Sequence, residues 1–185
     1  DITNEAPFFS YVSFQAQHIP LQAPQEFIDK YLDTYKAGWH ALREKRKVQA
    51  VENGIFPSDK EIVDSLSSFD SWSEINEEDK KVLVKSMAVF AGMLDAMDFH
   101  IGRLIAYLKE QGLYENTIFI VTADNGPEGN DPIEHETLRN WLKTTSYNRD
   151  YETLGGENSY VFIGTEFAQA TASPSPVSYT HLRAH

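Results

Sequence analysis

The sequence predicts an α/β domain with a central, mainly parallel sheet flanked by helices. Three observations carry that prediction. Residues 7–14, Pro-Phe-Phe-Ser-Tyr-Val-Ser-Phe, mix aromatic and β-branched side chains as a buried strand does. A long amphipathic stretch begins at Asn76 and closes at Gly112. Residues 117–123, Thr-Ile-Phe-Ile-Val-Thr-Ala, then form a nearly continuous apolar run of strand length. A helix feeding such a run is half of a βα repeat, and such repeats assemble into a parallel sheet covered on both faces.

Each element follows from local chemistry. After the first strand-like run, Pro20 and Pro24 forbid continued sheet or helix and impose a loop over residues 15–24. Phe27, Ile28, Tyr31, Leu32 and Tyr35 recur at helical spacing, which predicts a helix over 25–35 that Gly38 breaks. A second, strongly charged amphipathic segment runs from Trp39 to about Val51, with Gly54 as its C-terminal cap. Residues 54–72 are polar and contain Pro and Ser, as a surface excursion does.

The third helix is the clearest. Asn76 is a good N-cap, and Glu77, Glu78 and Asp79 place negative charge on its positive first turn. Its predicted apolar stripe is Phe90, Met93, Leu94, Met97, Ile101, Leu104, Ile105 and Leu108, with Asp95, Asp98 and His100 on a solvated face. The methionines read as core filler. Beyond 123 the chain is polar and irregular, with a short helix at 136–142 and a further strand at 158–163.

Composition narrows the function. The 185 residues carry a formal net charge of −12, the wrong sign for a protein that binds a nucleic-acid backbone. No apolar run approaches the ~20 residues of a membrane span. Cysteine is absent, which excludes disulfides, thiolate catalysis and cysteine-bound zinc within the chain.

Two places carry candidate chemistry. Asp124 and Asn125 follow the 117–123 run directly, where ligands gather at the carboxyl ends of parallel strands. Two oxygen donors side by side, with no His or Cys between them, suit a hard cation such as Ca²⁺ or Mg²⁺. An ordinary Asn-Gly turn fits the same residues. His18 follows the other strand-like run, so it sits on the same rim, where an imidazole donates to an oxyanion or protonates a leaving group. An exposed loop histidine is the competing reading.

Taken together, four segments resemble the sulfatase family of the alkaline phosphatase superfamily, and arylsulfatases in particular. They are residues 14–24 (Phe-Gln-Ala-Gln-His-Ile-Pro-Leu-Gln-Ala-Pro), the helix over 87–112, residues 116–126 ending Ala-Asp-Asn-Gly, and residues 158–172. The resemblance implies an alkaline-phosphatase-like sandwich. It implies that Asp124 and Asn125 bind a divalent cation, Ca²⁺ ahead of Mg²⁺, and that His18 faces a small-molecule sulfate ester. The implied reaction cleaves that ester to an alcohol or phenol plus sulfate. The family's nucleophile is a formylglycine made within a C/S-x-P-x-R motif.

This chain departs from the pattern. It contains no Cys, no S-x-P-x-R, and no paired aspartates opening a first strand. Residues 1–176 therefore read as the central part of a sulfatase catalytic domain, with the nucleophile expected upstream. Residues 177–185, Val-Ser-Tyr-Thr-His-Leu-Arg-Ala-His, read as a non-native tail. Without its sheet partners, apolar surface at 7–14 and 117–121 is expected to lie open. The rival readings are a phosphodiesterase or phosphonate monoester hydrolase of the same superfamily, and a non-catalytic fragment. Asn125 weighs against the zinc-binding members, because imidazole rather than an amide oxygen suits zinc.

Overall fold

A computed structural model describes residues 7–61, 71–131 and 135–174. The expected tail at 177–185 lies outside the described residues, as do residues 62–70 of the predicted excursion over 54–72. Five α-helices are described: α1 (Gln25–Ile28), α2 (Gly38–Glu52), α3 (Glu77–Glu110), α4 (Glu136–Leu142) and α5 (Gly164–Ala172).

Helix α3 is the frame. Its start behaves as its sequence demands: the Asn76 side chain accepts from the Asp79 N–H at 2.9 Å, and three acidic residues fill the first turn. The reciprocal half of the cap is made between side chains, Asn76 Nδ2 donating to Asp79 Oδ2 at 2.7 Å. The helix ends where Gly112 takes a positive φ of 69°. Its buried face differs from the predicted stripe. Val84, Met87, Ala88, Val89, Ala91 and Leu108 are buried, and Phe90 and Met93 pack on the core. Leu94 and Leu104 are exposed, because within the described residues the other elements pack along the first half of the helix.

The core gathers around that half. Trp39 from α2, Phe167 from α5 and Trp72 stack edge to face, with ring centroids 4.8 to 5.8 Å apart. Leu21, Ile28, Met87, Val89, Leu154 and Val161 fill the space beside them. Trp72 thus turns inward from the end of a segment expected on the surface, its indole N–H donating to Lys36 O at 3.1 Å. The predicted helix over 25–35 splits: α1 is one turn, a 3₁₀ turn follows at Asp29–Tyr31, and turns complete the segment. A Cβ at Gly92 would meet the Ile28 backbone nitrogen at 2.9 Å, so α1 lies backbone-close against α3 there. Helix α5 is not legible in the sequence, because Ile163 is no capping residue and the helix opens on Gly164, a poor helix former.

The sheet is the main difference from expectation. Among the described residues no named strand forms, and the regular pairing is a single parallel bridge between Asn148 and Ser159. The 158–163 segment, predicted as a strand, forms only the bridge at Ser159, although residues 159–163 are buried, and the runs at 7–14 and 117–123 lie open. Phe9 is 91% exposed, Ile118 90% and Ile120 86%. A strand is defined by its hydrogen-bonded neighbour. β-propensity marks a segment that fits a pleated, half-buried surface and cannot supply that surface itself.

Half-buried Tyr35 gives the fold an alkaline limit. Burial pushes its phenol above the usual value, Tyr31 adds to the effect, and Arg46 opposes it. The fold therefore favours the neutral ring. Its contribution is complete below the unfolded value of about 10 and is lost as pH rises through the folded one. The melting temperature is expected to fall more steeply above about pH 10 in the native chain than in Tyr35→Phe. Parallel alkaline limbs would show that Tyr35 plays no part.

Candidate functional site

His18 lies on a loop stitched to the rest of the fold on both sides. Leu21, 1% exposed, is the knob that seats it, and the Leu21 N–H donates to Val161 O at 2.9 Å. The Ala23 N–H donates to Gly155 O at 3.0 Å, and Gln22 Nε2 to Ser159 O at 3.1 Å. Upstream, Gln17 Nε2 donates to Phe90 O of α3 at 3.0 Å. The exposed imidazole stands between these ties, with Nδ1 2.8 Å from Ile19 O. A carbonyl only accepts, so Nδ1 carries a proton and Nε2 is the outward atom.

Asp124 and Asn125 sit in a turn after the open 117–123 run, Asp124 exposed and Asn125 half-buried. Asn125 Nδ2 donates to Gly126 O at 2.8 Å, which turns the amide oxygen away from that contact. Among the described residues, no hydrogen bond or ion pair engages the Asp124 carboxylate or the Asn125 amide oxygen. Both oxygens are thus available to an external partner. The segment beyond is anchored: Thr165 Oγ1 donates to Gly129 O at 2.6 Å, and a Cβ at Gly129 would meet Ala168 at 3.4 Å.

One stretch supports both places. Residues 154–163 carry the carbonyls that receive the His18 loop and run straight into α5, which receives the segment after Asn125. Lys85 of α3, 8% exposed, ties the start of this stretch by donating to Tyr151 O at 2.5 Å and Glu152 O at 3.2 Å. Arg149 lies over the Phe162 ring at 4.2 Å. Burial draws its pKa down, and the carboxylates of Asp131 and Asp79 oppose that shift. Burial likewise pushes the Tyr160 phenol up, with Tyr147 and Glu128 adding to it.

The structure does not join the two places. No hydrogen bond links His18 to Asp124 or Asn125 among the described residues, and no group of three or more His, Asp or Glu side chains is poised there to hold a metal. Asp124 and Asn125 are two donors of the right chemistry, against the six to eight oxygens that Ca²⁺ takes. They fit a calcium site as part of its ligand set. The supporting residues Gln17, Ser159 and Gly155 are not legible in the sequence, because their roles are long-range hydrogen bonds without a local signature.

A sequence model of the sulfatase family matches residues 2–153. The chain belongs to the sulfatase family. Its relatives include an uncharacterized sulfatase of Schizosaccharomyces pombe, 36% identical over 173 residues, which are 92% of this chain and 31% of that protein. An arylsulfatase of Klebsiella aerogenes is 29% identical over 170 residues, 92% of this chain and 36% of that protein. An arylsulfatase of Clostridium perfringens is 27% identical over 125 residues, 65% of this chain and 22% of that protein. The chain therefore spans about a third of the length of the first two curated relatives it matches. Membership implies the α/β fold of that family. No described helix is long and apolar enough to cross a membrane.

Proposed function

We propose that this sulfatase-family chain is the central part, residues 1–176, of the catalytic domain of an arylsulfatase-type hydrolase of sulfate monoesters. The observation that carries the reading is the family match over residues 2–153, which spans His18, Asp124 and Asn125. Asp124 and Asn125 would hold a divalent cation, Ca²⁺ in preference to Mg²⁺, through the two oxygens left free in their turn. When bound, such a cation neutralises charge on the sulfuryl oxygens. The formylglycine nucleophile belongs to sequence outside these residues.

His18 does the proton work that falls to this chain. With Nδ1–H donated to Ile19 O, a protonated ring presents Nε2–H outward. As the S–O bond to the leaving group breaks, its electron pair stays on that oxygen, and the Nε2 proton passes to it. The alcohol or phenol departs neutral and His18 is left as the neutral ring. Such a step matters more for a poorer leaving group.

The test uses the protein translated from the coding sequence that contains this chain, assayed on 4-nitrophenyl sulfate, an alkyl sulfate and bis(4-nitrophenyl) phosphate. Sulfate release is expected, with His18→Ala losing roughly 10²-fold or more on the alkyl ester and less on the nitrophenyl ester. Turnover of the phosphate diester alone would make the protein a phosphodiesterase. Absence of all three activities, with the fold intact, would make it non-catalytic.

A further inference from the structure

The His18 loop is tied at its two flanks to different elements. Downstream, Leu21, Gln22 and Ala23 donate to the 155–161 stretch. Upstream, among the described residues, the tie out of the loop is the Gln17 carboxamide on the Phe90 carbonyl of α3, while the His18 N–H turns back locally to Gln15 O at 2.9 Å. Because Phe90 O only accepts, the orientation of the amide is settled: its NH₂ faces α3 and its oxygen faces away. Residue 17 thus grips α3, the longest of the described helices, one position before the imidazole.

We propose that Gln17 is a positioning residue for His18. By clamping the 15–18 turn to α3, it holds the His18 ring beside the Ile19 carbonyl that captures Nδ1–H, and so keeps Nε2 as the outward atom. Released from the clamp, the turn no longer holds ring and carbonyl in register. The ring then exchanges tautomers and rotamers, and the outward proton loses its fixed position. The catalytic consequence rests on the reading of His18 as proton donor. The clamp itself does not.

The test is nitrogen-15 NMR of the histidine rings in the protein translated from the coding sequence that contains this chain, with the His18 signals assigned by their loss in His18→Ala. The native protein is expected to show the neutral His18 ring as the Nδ1–H tautomer. Gln17→Met, similar in length but without a donor, is expected to lose that signature, and Gln17→Lys, which restores a donor, to keep it. The near-ultraviolet signal of Trp39 reports whether each variant folds. If Gln17→Met does not fold, Gln17→Asn, one carbon too short to reach Phe90, takes its place. An unchanged His18 spectrum in the folded donor-less variant, or loss of the signature in Gln17→Lys, overturns the proposal. Loss of the signature in Gln17→Met while His18→Ala still turns over alkyl sulfates supports the clamp and removes the proposed role of His18 instead.

Discussion

Asp124→Ala is expected to abolish sulfate ester turnover in the protein that carries this chain, and to lower its melting temperature only when Ca²⁺ is present. The Asp124 carboxylate is exposed and has no hydrogen-bond or ion-pair partner among the described residues, so its removal orphans nothing in the metal-free protein. Surface changes of that kind fall within about 0.5 kcal/mol. On the proposed reading, Ca²⁺ at 100 times its dissociation constant would stabilise the native protein by about 2.7 kcal/mol. A variant missing one carboxylate of the site forfeits most of that gain. Calorimetry with and without the ion separates the cases, and an equal loss in both would make Asp124 a structural residue.

Gly155→Ala is expected to be strongly destabilising, costing about 3 kcal/mol or more from two sources. The residue has φ 90°, a conformation that a side chain strains. A Cβ there would also stand 2.5 Å from Val89 Cγ2 and 2.7 Å from Ile28 Cδ1, both on fully buried side chains. Gly54 is the control. Its φ is 68° and a methyl group placed there would meet nothing within 4 Å, so Gly54→Ala carries the strain alone, about 1 to 2 kcal/mol. Denaturant titration of the two variants reads the difference, and equal losses would show that the overlap at Gly155 relaxes at no cost. Because Gly155 O receives the Ala23 N–H, the same substitution is expected to speed amide exchange at Ala23, next to the His18 loop.

Much of the helical frame is legible because helix signals are local. The Asn76 cap, the acidic first turn and Gly112 bracket α3, and the 136–142 and 39–51 readings match α4 and α2 to within a residue at each end. The buried stripe of α3 is less legible. Periodicity says which residues share a face but not how far along the helix that face is covered, and Leu94 and Leu104 remain open while Val84 and Ala88 are buried.

Sequence by itself determined the family, through four ordered segments, together with the donor chemistry of Asp124 and Asn125 and the loop placement of His18. Those features reside in residue type and in short spacings along the chain. Tertiary structure alone decided what holds them: Gln17 on Phe90, Leu21 on Val161, Ala23 on Gly155 and Thr165 on Gly129. Each of these joins residues far apart in the chain, through backbone carbonyls that every residue type possesses. It also decided that the runs at 7–14 and 117–123 lie open, since a strand exists only where a neighbouring strand meets its backbone.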